Sequence, residues 1–308
     1  MELRQLRYYV RTVELGSMGR AAVDMNTATA TVSQQISRLE SELSARLLLR
    51  LPTGVRTTQA GQAFFQQAQL ILRQVEAAAE LARLGRLSGA VSLGLAQTTA
   101  SMLAVPLIKT MQKRYPGVRL RIVEGLSGYL SQQLSSRRLD LASLFDHQAA
   151  RLWHGRHLLD ERLFLIGRQD LPGMPEGNEI TLSEIGQLPL VLPSDTHTLR
   201  NMVLDSLHAE GVVPVIAAEV DGLSTLLDVV GAGVGATIQP GSAIKNLVGG
   251  GIRRVAITGP EIVRPSILVG LPEEELSPAS LALRSALTQL VRDLVEHGAW
   301  PGATLAPA

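Results

Sequence analysis

Cysteine is absent from all 308 residues, which leaves no disulfide and no thiolate metal site to consider. Aromatic residues are scarce at 3%, yet hydrophobic residues still make up 45%, so the cores must be built from Leu, Val, Ile and Ala. Long apolar runs are missing too. No segment approaches 18 uninterrupted apolar residues, and the opening "MELRQLRYYV" carries charge where a secretory leader needs an apolar stretch. The expectation is a cytoplasmic protein that stays off the membrane. A large charge excess is also lacking, since the formal net charge is +1. The first 58 residues nevertheless hold eight arginines against five acids, a modest basic bias that does not by itself imply nucleic acid.

The length suits two domains, or one small domain beside a bilobed one. Near the N-terminus, Leu3, Leu6, Val10 and Val13 recur at spacings of three and four, one stripe of a helix that stops at Gly16. Ser17 can cap the next helix, "MGRAAVDM", whose Ala21, Ala22 and Met25 face inward and let another helix approach closely. After a tight turn at Asn26, a third helix carries Val32, Ile36, Leu39 and Leu43 on one face, with Thr27 or Thr29 as its expected cap. Three short helices in this order read as a helix-turn-helix unit, or as any small three-helix bundle. The outward face of the third helix separates the two readings. Ala30, Gln34, Ser37, Arg38 and Ser41 lie opposite the apolar stripe, small and Arg-bearing rather than rich in Glu and Lys, which suits entry into a groove.

"RLPTGVR" then reads as a hairpin wing with Arg50 and Arg56 at its ends, where arginine can pair with phosphate. From a cap at Thr58 a long helix extends to about residue 86. Ala60, Phe64, Ala68, Ile71 and Val75 form one apolar line, and Phe65, Leu72 and Ala79 form a second. Two lines exceed what one small domain covers, so this helix is expected to pair with its copy in a second chain. "RLSGA" at 86–90 reads as a hinge. Beyond it, short apolar runs alternate with helices, the first expected from about Ser101 to Tyr115, in the βαβ rhythm of a parallel-type open sheet, twice over, before a last helix from about Pro278 to His297.

The words "AAVDM…TVSQQISRLESEL" and "RLLLR…TGVRTTQAG", in this order of parts, resemble the LysR family of bacterial transcriptional regulators over the whole chain to about His297. "LFLIGRQDLPG" and "LPSD" resemble the branch of that family containing the nitrogen assimilation control protein. The resemblance implies α and α/β parts. These are a winged helix-turn-helix at 1–58, a dimerisation helix at 59–89 and an effector domain at 90–308 like a periplasmic binding protein. One lobe would span about 90–160 and 267–308, the other about 161–266. It further implies a dimer of dimers on double-stranded promoter DNA, with RNA polymerase as a further partner. Carried over to this chain, the DNA-contacting set is Thr29, Ala30, Thr31, Ser33, Gln34, Ser37, Arg38, Arg50, Thr53 and Arg56. One departure stands out: the family's usual Ser-Gln-Pro or Ser-Gln-Ser at the front of the reading helix is here Ala28, Thr29 and Ala30. With that Gln gone, more of the readout should fall to Gln34 and Arg38, helped by DNA shape.

In a two-lobed α/β domain a ligand lies at the carboxyl ends of the strands, against helix N-termini. Those places are "QTTAS" and "SDTHT". Thr98, Thr99, Ser101, Ser194, Thr196 and His197 there, with Phe145 and Asp146 ending a strand nearby, are the expected effector contacts, suited to a small carboxylate or other anion. No cofactor or metal is expected. "GAGVGA" follows a helix instead of a strand, and the two histidines of "HGRH" lack partners to complete a tetrahedral set. An enzyme or a solute-binding protein with the same lobes remains the alternative. The enzyme has only the shape in its favour, and the missing secretory leader and the helical N-terminus argue against the solute-binding protein.

Overall fold

The structure is a computed structural model that describes residues 1–84, 87–145, 151–153, 155–245 and 251–307. It falls into two compact units, Met1–Gly89 and Ala90–Ala308.

In the first unit, α1 (Leu3–Leu15) ends where Gly16 takes a left-handed φ of 63°, and the Ser17 hydroxyl caps α2 (Met18–Asp24) by accepting from the Arg20 amide. The helix α3 (Thr29–Glu42) starts three residues earlier than its apolar stripe suggests. Neither Thr27 nor Thr29 caps it: Ala28 holds the cap position and no side chain takes a first-turn amide. Val32, Ile36 and Leu39 are fully buried as the spacing predicts, but Leu43 is exposed, because the helix has ended by then. Strands β1 (Leu48–Leu51) and β2 (Gly54–Thr57) pair antiparallel around a Pro52-Thr53 turn. Thr58 caps α4 (Gln59–Leu84), its hydroxyl accepting from the Gly61 amide at 2.9 Å.

Tyr9 and Gly61 hold this unit's core together. Tyr9 is buried and donates its phenol to the Gly61 carbonyl at 2.7 Å, with its ring edge on Phe64. Burial, and then the Glu40 charge, push its pKa up, so the phenol remains a donor. A methyl group on Gly61 would fall 1.9 Å from the Leu47 carbonyl oxygen. Gly61→Ala is therefore expected to cost the first unit about 3 kcal/mol, seen as an early helical transition in thermal circular dichroism.

The second unit opens within β3 (Ser88–Leu95). Part of the expected hinge is thus already strand. There follow α5 (Gln97–Arg114), β4 (Gly117–Glu124), α6 (Ser127–Ser135) and β5 (Leu141–Leu144). Next come β6 (Arg156–Arg168), β7 (Glu179–Thr181), α7 (Leu182–Ile185), β8 (Pro189–Leu192) and α8 (Thr198–Ala209). The chain continues through β9 (Val215–Glu219), α9 (Leu223–Gly231), β10 (Thr237–Pro240), β11 (Ile252–Thr258) and β12 (Val263–Gly270). It ends with α10 (Pro278–Glu296), capped by Ser277, and β13 (Ala303–Leu305).

The rhythm of strands and helices is as read, but the sheet is mixed instead of parallel. Its path is β4-β3-β5-β12-β6-β11-β7, with β10 and β13 also on β6, and β6 runs antiparallel to β10, β11, β12 and β13. The 13-residue β6 changes partners midway. Residues 156–162 pair with β12 and residues 163–168 with β10 and β11, so one strand serves both lobes. The second lobe packs Leu165, Leu190, Val203, Ile238 and Val255 into its own core.

Among the described residues, no helix is long and apolar enough to cross a membrane.

Candidate functional site

Two surfaces carry polar groups arranged for recognition, one in each unit. In the first, Thr29, Ala30, Gln34, Ser37 and Arg38 are exposed along α3, with Thr31 and Ser33 half-buried beside them. Thr53 and Arg56 are exposed on the wing. Arg50 does something its position in the hairpin does not reveal: its guanidinium donates to Ser33 Oγ at 3.1 Å and Ser37 Oγ at 3.0 Å. The wing is thereby tied to the exposed face of α3. From the last turn of that helix, Glu40 accepts from the Leu47 and Leu48 amides at 2.7 and 3.0 Å, fixing where the hairpin begins. The orientation of α3 is thus set by the hairpin as well as by its buried stripe.

In the second unit a cavity of about 330 Å³ is lined by the starts of four helices. Gln97 and Thr98 come from α5, Ser127 and Gly128 from α6, Thr198 and Leu199 from α8, and Leu223 from α9. None of the four helices is capped by the side chain of its own N-cap residue, and each start carries the positive end of its dipole, so the potential there favours negative charge. The Gln97 side chain spans the gap and accepts from the Leu223 amide at 3.1 Å.

Of the effector contacts expected from sequence, Thr98, Phe145, Thr196 and His197 line this cavity. Thr99, Ser101 and Ser194 do not. Helix α5 begins at Gln97, four residues before the expected start, which turns Thr99 into the protein, where it is fully buried. Ser101 is spent on the Thr98 carbonyl at 2.7 Å, and the Ser194 amide donates to Asp221 at 2.8 Å. Asp146, and His154 of "HGRH", lie outside the described residues. His157 pairs with Asp160 at 2.9 Å.

Sequence reasoning missed the charged floor of the cavity. Arg264 is 4% exposed and Glu161 fully buried, and as register partners on β12 and β6 they form an ion pair. Arg264 also donates to Thr98 Oγ1 at 3.0 Å and stacks on Phe145, 3.7 Å above the ring centroid. Glu161 accepts from the Ser242 hydroxyl at 2.9 Å and the Trp300 indole at 2.8 Å. Gln239 adds a buried amide to the same wall. The signal was an arginine inside "IVRPSILVG" and a glutamate inside "LLDERLFLIG", charges set in runs that read as buried strands.

The order of these two units has a counterpart among known proteins. Residues 3–62 match the bacterial regulatory helix-turn-helix protein of the lysR family, and residues 84–292 match the LysR substrate binding domain. The chain belongs to the LysR family. It is similar to the nitrogen assimilation regulatory protein nac of Escherichia coli K12, 32% identical over 97% of this chain and 99% of the relative. The Klebsiella aerogenes nac protein is 33% identical over 94% and 95%. The fold resembles that of a full-length OxyR variant from Pseudomonas aeruginosa, with a TM-score of 0.71, 24% identity and coverage of 95% and 98%. It also resembles full-length CbnR in complex with its target DNA, with a TM-score of 0.56, 20% identity and coverage of 94% and 100%. This LysR-type chain is accordingly a DNA-binding transcriptional regulator with an effector-binding domain, and its relatives are regulators, not enzymes.

Two outcomes follow from the cavity floor. Arg264→Met strands Glu161 as an uncompensated buried charge and should cost about 3–5 kcal/mol, much of it recovered in the Glu161→Gln, Arg264→Met double variant. Both tryptophans belong to the second unit, so urea unfolding followed by their fluorescence reads this unit alone. His197 titrates in the opposite sense to a paired histidine. Desolvation, with Arg264 nearby, lowers its pKa below the ordinary 6.5 against a smaller opposing pull from Asp221. The unfolded chain therefore takes up the proton first, and the stability tied to neutral His197 is present above pH 6.5 and lost as pH falls through the folded value. Acidification should destabilise the unaltered unit more than a His197→Gln variant in the same fluorescence assay.

Proposed function

We propose that this regulator reads double-stranded promoter DNA with the exposed face of α3 and is modulated by a small carboxylate-bearing effector in the four-helix cavity. One observation carries the first half: the solvent face of α3 is short-chained and Arg-bearing, and the wing is locked to it through Arg50. Gln34 is placed to make a bidentate contact with adenine, and Arg38 with guanine or phosphate. Thr29 and Ala30 stand at a helix start with no side-chain cap, which leaves their amides for a backbone phosphate. Arg56 and Thr53 follow the flanking backbone, and Arg50, with Ser33 and Ser37, aligns the reading face.

Helix α4 supplies the pairing surface. Its Phe65, Leu72 and Val75 are only half-covered and Ala79 is exposed within the chain, as a two-line helix needs if a second copy packs on it. A dimer, doubled into a dimer of dimers, would present recognition helices to repeated half-sites. The place of action is the cytoplasm, with RNA polymerase as the protein partner.

For the effector, Thr98, Phe145, Thr196 and His197 are the contacts, joined by Arg264 and Gln239. Ser101, on the Thr98 carbonyl, and Ser194, on Asp221, act behind them, and Thr99 packs beneath the start of α5. The cavity size and its few converging polar groups are those of a small-molecule site.

Footprinting on the upstream regions of its own and divergent neighbouring genes tests the DNA reading. A partly palindromic site should be protected at low salt. Gln34→Ala should relax discrimination at one base pair by about 1–3 kcal/mol, and Thr29→Gln should alter the preferred sequence. Absence of any protected site with folded, dimeric protein would sink the reading.

A further inference from the structure

From the charge layout of the cavity we infer that its ligand is a small zwitterion, an α-amino acid with an apolar side chain. The inference rests on the reading of this cavity as the effector site and names the chemistry of its occupant. The carboxylate end has a built receptor. Arg264 is 4% exposed, fixed by Phe145, Thr98 and Glu161, and its Nε is buried with no hydrogen-bond partner among the described residues. Around it converge the helix amides that already favour an anion.

A bare carboxylate, however, leaves the opposite charge pattern unanswered. The charge of Arg264 is already balanced by Glu161, whereas two further acids, Glu124 and Asp221, line the same cavity. Asp221 is held ionised by the amide and hydroxyl of Ser194. His197 lies within electrostatic reach of both Asp221 and Arg264, and its burial keeps it neutral, so it does not cancel the acid. Among the described lining residues no cation stands free to meet Asp221 or Glu124. A ligand ammonium does so, while its carboxylate takes Arg264 and the helix starts around it. Leu126, Leu199 and Leu226 also line the cavity, an apolar wall for the side chain that selects an aliphatic or thioether group over a charged one.

Isothermal titration of the full-length chain tests this with L-valine, L-leucine, L-isoleucine and L-methionine. Each is set against its deaminated acid, such as 4-methylpentanoate for leucine, and its decarboxylated amine. At least one amino acid should bind, with its deaminated acid weaker by about tenfold or more. Asp221→Asn, or Glu124→Gln should the first variant fold poorly, should erase that preference by weakening the amino acid and sparing the deaminated acid. A deaminated acid that binds the unaltered protein as tightly as its amino acid would overturn the zwitterion and leave an anionic effector standing. Retained preference in both variants would also overturn it. Binding of neither series, with DNA protection intact, would remove the cavity reading without touching the DNA reading.

Discussion

The ion pair between Glu161 and Arg264 is the constraint around which the second unit is arranged. Two charges have been taken out of water, and their attraction repays that desolvation only when the remaining donors and acceptors are matched. The matching partners come from distant parts of the chain. Ser242 follows β10, Trp300 follows α10, Thr98 opens α5, and Phe145 follows β5. The pair sits where β6 passes from β12 to β10 and β11, so the strand that joins the two lobes is pinned at its point of exchange. Misplacing any of these segments would expose an unmatched buried charge, which makes the pair a strong specifier of lobe arrangement even where its net contribution to stability is small.

In the first unit the corresponding constraint is a close approach of backbones. The start of α4 lies so near Leu47 that no side chain fits at Gly61, and Tyr9 closes the contact from α1. Arg50 then fastens the hairpin to the middle of α3 and Glu40 to its last turn. An arginine that pairs with phosphate in an isolated reading of the wing is thus committed, in the fold, to two serines of the reading helix. The shape of the reading surface depends on that link, which explains how the surface stays defined although Ala28, Thr29 and Ala30 give its front edge little chemistry.

Local features were the ones legible in the sequence. Apolar spacing placed α1, α3 and α4, Ser17 and Thr58 marked real caps, and the alternation of strands and helices in the second half was correct. Helix starts at α3 and α5 were misjudged for one reason. Periodicity begins where burial begins, but both helices start on residues whose side chains are small or polar, and backbone geometry alone carries the first turn. The consequence reached the site, since a four-residue error at α5 moved Thr99 and Ser101 off the cavity. Non-local features were not legible. A lone Arg264 and a lone Glu161, 103 residues apart, disclose a pair only once the register of β12 on β6 is known. The exchange of partners along β6 likewise leaves no period in the sequence.

The cavity walls come from helices of both lobes, while β6 and β12 carry the chain between them, and this limits how an effector can act. A ligand changes the protein only to the extent that it binds one lobe spacing better than another. Here the spacing is already set by contacts across the gap, with Gln97 on the Leu223 amide and Lys245 on the Ser101 carbonyl at 3.2 Å. Both are single, partly solvated hydrogen bonds, each a modest net contribution. Beneath them lies the buried Glu161–Arg264 pair, which is far more costly to disturb. A ligand therefore has a soft coordinate at the mouth of the cavity and a stiff one at its floor. Any response to occupancy has to appear as movement of the α5, α6, α8 and α9 starts about a fixed base, not as a rearrangement of the shared strand.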